Sequence, residues 1–129
     1  MTPELTVLAL LGLWHAVTLS AYAVAANLQV GTGYALSPRD EARQLTGAAG
    51  RLQRALQNGT EALVFFAPAA LIVAVTGQST GVTAACAWAV LAARILYLPA
   101  YGMGLVPGRS LVWAVGFLAT LALYIAALT

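Results

Sequence analysis

"RLQRALQNGTEALVFF", residues 51–66, decides how this chain is read: two arginines, an asparagine and a glutamate lead straight into an apolar run. Arg51, Arg54, Asn58 and Glu61 are separated by three, four and three residues. At about 100° per residue of helix they fall within a wedge of about 80° on one face. A helix that is apolar elsewhere and carries such a face is a membrane span that brings its polar groups to a protein-lined site rather than to lipid.

The composition agrees. Of 129 residues, 61% are hydrophobic and 8% charged, and the mean hydropathy is +0.86, far from the usage of soluble domains. The length admits a single bundle of four spans at about 20 residues each, with one sizeable loop and no second domain. All six basic residues are arginines, permanently charged forks suited to carboxylate, phosphate or thiolate partners. The net charge of +2 gives no indication of nucleic acid. Cys86 is the one cysteine, which excludes an internal disulfide framework and a multi-cysteine zinc site; it reads as a small buried hydrophobe. No metal-binding group of residues is expected.

Working outward, the apolar runs predict an all-α membrane protein, a bundle of four spans over about 5–28, 51–76, 82–103 and 108–128, with a charged loop over 29–50. The first run competes with a signal peptide because "AVAA" mimics a cleavage site, but its flank carries Glu4 and no positive charge. Ser37, Pro38 and Asp40 favour a turn in the loop, and Gly77 to Gly81 form a short uncharged one. Pro99 is expected to bend or end the third span. Arg39, Arg43, Arg51, Arg54 and Arg109 flank the first and third connections, while the second connection and both termini have no basic residue. The positive-inside rule therefore predicts cytoplasmic loops at 29–50 and before Arg109, with both termini outside.

The third span repeats the polar stripe with Arg94, Tyr97 and Tyr101, spaced by three and four. Glu61 and Arg94 each lie nine or ten residues from the cytoplasmic ends of their spans, about 15 Å deep at 1.5 Å per residue. An unpaired charge there costs about 2.5–3.5 kcal/mol on insertion scales, so a Glu61–Arg94 ion pair is expected. The plain alternative is a registry device, a buried pair that fixes helix order while Arg51, Arg54 and Arg109 reach to lipid head groups. The full set exceeds what topology needs and forms a donor-rich, cationic recess suited to a small anion.

These residues also resemble a known family. "RLQRALQNGTEAL" resembles the second-helix signature R-x-x-R-A-x-x-N-x-x-E of the MAPEG family of membrane proteins in eicosanoid and glutathione metabolism; "ARILYLPAY" and "PGRSLVW" are similar to its third-helix pattern and fourth-helix entrance. The resemblance implies a homotrimer in a bacterial inner membrane. It implies glutathione as co-substrate, held in clefts between subunits by Arg51, Arg54, Asn58, Glu61, Arg94, Tyr97 and Tyr101, with Glu61 on the α-amino group. It further implies that Arg109 stabilises the glutathione thiolate for attack on a lipophilic electrophile arriving from the membrane lipids, a transferase or peroxidase-like reaction. An adjacent fixed cation does favour the thiolate of a thiol whose ordinary pKa is about 8.5, and arginine cannot serve as base. The chain departs from the family pattern at "AANLQVG", which has Asn27 and Gln29 where active members carry an arginine, and at Ala62 after the glutamate.

Two other classes remain. A non-catalytic member of the same fold would bind lipid or a partner, and the missing arginine argues for it. A small exporter would need an acid within its first span, whereas Glu4 precedes the apolar run. His15, with no second ligand at helical spacing, reads as a hydrogen bond to a neighbouring helix. Trp14, Trp88 and Trp113 read as packing or an interfacial belt.

Overall fold

The computed structural model describes the backbone of residues 1–31, 47–102 and 106–129. It contains four helices: α1 Pro3–Val30, α2 Gly47–Val75, α3 Gly81–Gly102 and α4 Val106–Leu128. There is no strand among the described residues. Three helices carry stretches long and apolar enough to cross a membrane, Pro3–Gln29, Ala49–Val75 and Ser110–Leu128; Gly81–Tyr97 is a shorter apolar helix. The protein is an all-α membrane bundle. The loop residues Arg39, Asp40, Glu41 and Arg43 lie outside the described residues.

Helix ends follow local chemistry. Thr2 caps α1, its hydroxyl accepting from the Leu5 N–H at 3.3 Å with Pro3 in the first turn. Gly77, at φ 68, ends α2 in a Schellman turn: the Gln78 N–H donates to the Val73 carbonyl and the Gly77 N–H to that of Ala74. Thr80 then caps α3 reciprocally, accepting from the Thr83 N–H at 3.2 Å while its own N–H donates to the Thr83 hydroxyl at 2.8 Å. α2 starts at Gly47, a turn ahead of Arg51, and α3 runs through Pro99 to Gly102.

α1 packs on α2 and α3, α2 on α3, and α4 on α3 and α2; among the described residues no Cα of α1 lies within 8 Å of one in α4. The core is small-residue packing, Ala69, Ala70 and Ala87 around Phe66, Val73, Val90 and Leu123, which lets backbones approach where no hydrophobic force drives helices together in lipid. Large side chains such as Leu13, Val64, Leu111 and Ile125 point outward, as a lipid solvent permits.

Glu4, which precedes the apolar run in the sequence, lies in the first turn of α1 and is fully buried. Its carboxylate accepts from the Thr83 hydroxyl at 2.6 Å and from Ser79 at 2.9 Å, which ties the start of α1 to the α2–α3 turn.

Candidate functional site

The polar face of α2 meets that of α3 about 16 Å along α3 from Thr83, at 1.5 Å per residue. Arg94 Nη1 donates to Asn58 Oδ1 at 2.7 Å, and its guanidinium carbon sits 4.4 Å from the centroid of the Tyr97 ring one turn along. Tyr97 is buried beneath it. The Arg94 carbonyl accepts from Trp14 Nε1 at 3.2 Å, so α1 fixes the backbone that aims the guanidinium.

Gly59 makes this crossing close. A Cβ there would lie 3.3 Å from Arg94 Nη2 and 3.3 Å from His15 Nδ1, so the missing side chain is what lets cation and imidazole converge. His15 Nε2 also lies 3.1 Å from the Thr60 hydroxyl, the neighbouring-helix hydrogen bond expected of it. Leu11, Trp14, His15, Gly59, Arg94 and Tyr97 help enclose a cavity of about 20 Å³, room for about one water molecule.

The expected Glu61–Arg94 ion pair is not formed among the described residues. At about 100° per residue Glu61 is turned about 60° from Asn58, toward the outside of the bundle, and it is exposed. The shorter Asn58 faces α3 and takes the guanidinium. Both Glu61 and Arg94 nevertheless line one larger cavity of about 200 Å³ between α2, α3 and α4, together with Asn58.

Arg51 lies at the start of the stripe with its Nε buried and no hydrogen-bond partner among the described residues. Arg54 is exposed on the same helix. Tyr101 and Arg109 stand on helical backbone of α3 and α4, and their side chains lie outside the described residues.

Sequence reading missed the far wall of this cavity. Phe65, Trp113 and Phe117 line it, as do Gly116 and Thr120. Trp113 and Phe117 stack at 5.1 Å between centroids and 11° between planes, and Phe117 stacks on Phe65 at 5.6 Å and 24°. Phe65 continues to Tyr124 at 5.4 Å, whose hydroxyl donates to the Phe65 carbonyl at 2.6 Å. The available signal was the spacing of four between Trp113 and Phe117, repeated by Gly116 and Thr120; in an apolar span that spacing does not say whether a face meets lipid or a cavity.

The fold and this site define a class: an integral membrane helical bundle with an amphipathic cavity lined by both polar and aromatic side chains. The chain belongs to the MAPEG family, whose model matches residues 5–129, essentially its whole length. It is therefore a membrane protein of the glutathione and eicosanoid metabolism family. No curated protein and no solved structure matches the chain.

Proposed function

We propose that this protein is a glutathione-dependent transferase or peroxidase-like enzyme that joins the glutathione thiolate to a lipophilic electrophile. The observation that carries this reading is that the Arg94 guanidinium, bonded to the Asn58 amide, and the exposed Glu61 carboxylate line one cavity of about 200 Å³. Glutathione offers two carboxylates, an ammonium and a thiol. Arg94 suits a carboxylate, and Glu61, with no ion pair to Arg94, is open to the ammonium. Arg51, Arg54, Tyr97 and Tyr101 complete the binding set. Arg109, at the head of α4, holds the sulfur as thiolate by its fixed charge.

The active form is a homotrimer in a bacterial inner membrane, both termini outside and the site facing the cytoplasm. Support comes from the outer face of α2, where Gln53, Gln57 and Glu61 are all exposed. Such groups at membrane depth almost always face protein or water, and a second copy is the cover this chain itself supplies. Calorimetry with glutathione on the purified protein tests the reading. Saturable binding at millimolar ligand that Arg94→Ala weakens is expected, together with conjugation lost in Arg109→Ala. No saturation and unchanged activity would overturn it.

One observation favours a second reading, a non-catalytic member that binds lipid or a partner: the last turn of α1 has no basic residue. Full turnover in a reconstituted assay would dismiss it.

A further inference from the structure

We propose that His15 is a positioning residue for glutathione binding: its unprotonated Nδ1, through one bound water, holds the Arg94 guanidinium in the setting that meets a glutathione carboxylate, a role that rests on the transferase reading above. Thr60 sets the tautomer. Its hydroxyl lies 3.0 Å from the Leu56 carbonyl and 3.1 Å from His15 Nε2, and it has a single proton to give. A carbonyl can only accept, so the hydroxyl donates to Leu56 and accepts from His15. The imidazole proton is then on Nε2, and Nδ1 is a bare acceptor.

That acceptor faces a donor. The point over Gly59 where a Cβ would stand is 3.3 Å from His15 Nδ1 and 3.3 Å from Arg94 Nη2, so the two atoms flank one gap that the glycine leaves open. Arg94 Nη1 is committed to Asn58 at 2.7 Å and the guanidinium carbon sits 4.4 Å from the Tyr97 ring centroid, which leaves Nη2 for this gap. His15, Gly59, Arg94 and Thr18 all line the cavity of about 20 Å³, enough for about one water. A water there accepts from Nη2 and donates to Nδ1. Thr18, whose own hydroxyl proton goes to the Trp14 carbonyl at 3.0 Å, offers lone pairs to the second water proton. About three partners are what a buried water ordinarily has. α1, with no basic residue in its last turn, thus reaches Arg94 twice: Trp14 holds the backbone carbonyl at 3.2 Å, and His15 holds the guanidinium.

His15 is the one histidine of the chain, so isotope-labelled histidine gives a single imidazole in NMR. In detergent and without glutathione, the neutral ring should carry its proton on Nε2, with the Nδ1 resonance displaced by a hydrogen bond. Gly59→Ala, whose methyl takes the place of the water, should move that resonance toward its unbonded position. A proton on Nδ1, or an Nδ1 resonance indifferent to Gly59→Ala, overturns the proposal.

Two substitutions separate positioning from packing. His15→Asn keeps a polar group near the Nδ1 position and gives up the bond to Thr60, whereas His15→Gln reaches Thr60 and leaves the water side bare. In calorimetry His15→Asn should bind glutathione nearly as the parent does, and His15→Gln should raise Kd about fivefold, the scale of one water-mediated hydrogen bond. A role confined to the α1–α2 hydrogen bond gives the reverse order; that order, or equal affinities for the two variants, overturns the proposal. If glutathione binds none of the three proteins while the histidine resonances behave as stated, the transferase reading fails and the bridge from His15 to Arg94 stands.

Discussion

Arg94 is the residue on which the site turns, because it carries a permanent charge within the span and satisfies it without an ion pair. Asn58 supplies a carbonyl oxygen at 2.7 Å and Tyr97 a ring face at 4.4 Å. Asn58→Leu keeps the volume and removes the acceptor, so the half-buried guanidinium loses a charged hydrogen bond. We expect a loss of about 2 kcal/mol, from the range for hydrogen bonds to charged groups. Thermal unfolding in detergent would reveal it; a melting temperature equal to that of the parent would show that Arg94 finds other partners. Gly59→Ala acts on the same guanidinium from beneath. A methyl 3.3 Å from both Arg94 Nη2 and His15 Nδ1 forces one of them aside, and overpacking of this kind costs about 1–3 kcal/mol. Glutathione affinity should fall with it, and a variant that binds normally would mean that the crossing relaxes freely.

At the scale of elements, the start of α1 is held to the α2–α3 turn by Glu4. The carboxylate is fully buried and accepts from Thr83 and Ser79, donors placed by the Thr80 cap and the Gly77 turn. Glu4→Leu leaves two hydroxyls facing a methyl surface, with an expected cost of about 1–3 kcal/mol. Thr83→Val removes the shorter of the two bonds. Because both substitutions break one contact, the double variant should be less destabilised than the sum of the singles. Strict additivity in chemical denaturation would show that Glu4 and Thr83 do not act together. Gly77→Ala probes the other half of the device. At φ 68 a Cβ is strained by about 1 kcal/mol, and the loss should appear in the same measurement.

For the whole molecule, the distribution of exposed groups bears on assembly. Most of the outer surface is apolar, as in Leu13, Val64, Leu111 and Ile125, but one face of α2 exposes Gln53, Gln57, Thr60 and Glu61. Lipid cannot hydrogen-bond Gln53, Gln57 or Glu61, whereas the Thr60 hydroxyl is already bonded to His15 and to the Leu56 carbonyl. If the proposed trimer covers them, native mass spectrometry from detergent should release three copies per particle, and Gln57→Phe, which places a bulky ring on that exposed face, should shift the population toward monomer. A particle of one chain in the parent protein would leave the stripe without its cover and would count against the trimer.

How much was legible beforehand differs residue by residue. The four helices and the hydrogen bond of His15 to a neighbouring helix were contained in spacing and hydropathy, since helical periodicity and the cost of a bare polar group in lipid are local properties. The family, too, was legible in motifs that lie within single helices. Which acceptor Arg94 takes was not: Asn58 and Glu61 share a wedge of α2, and only the rotation of that helix against α3 turns one inward and leaves the other exposed. Glu4 looked like a flank because its partners, Ser79 and Thr83, are distant in sequence. The Trp113–Phe117–Phe65 wall likewise needs α2 and α4 side by side. Sequence alone determined what each helix would carry; tertiary structure decided which carried groups meet, because pairing depends on rotation and crossing between helices, and no single helix encodes either.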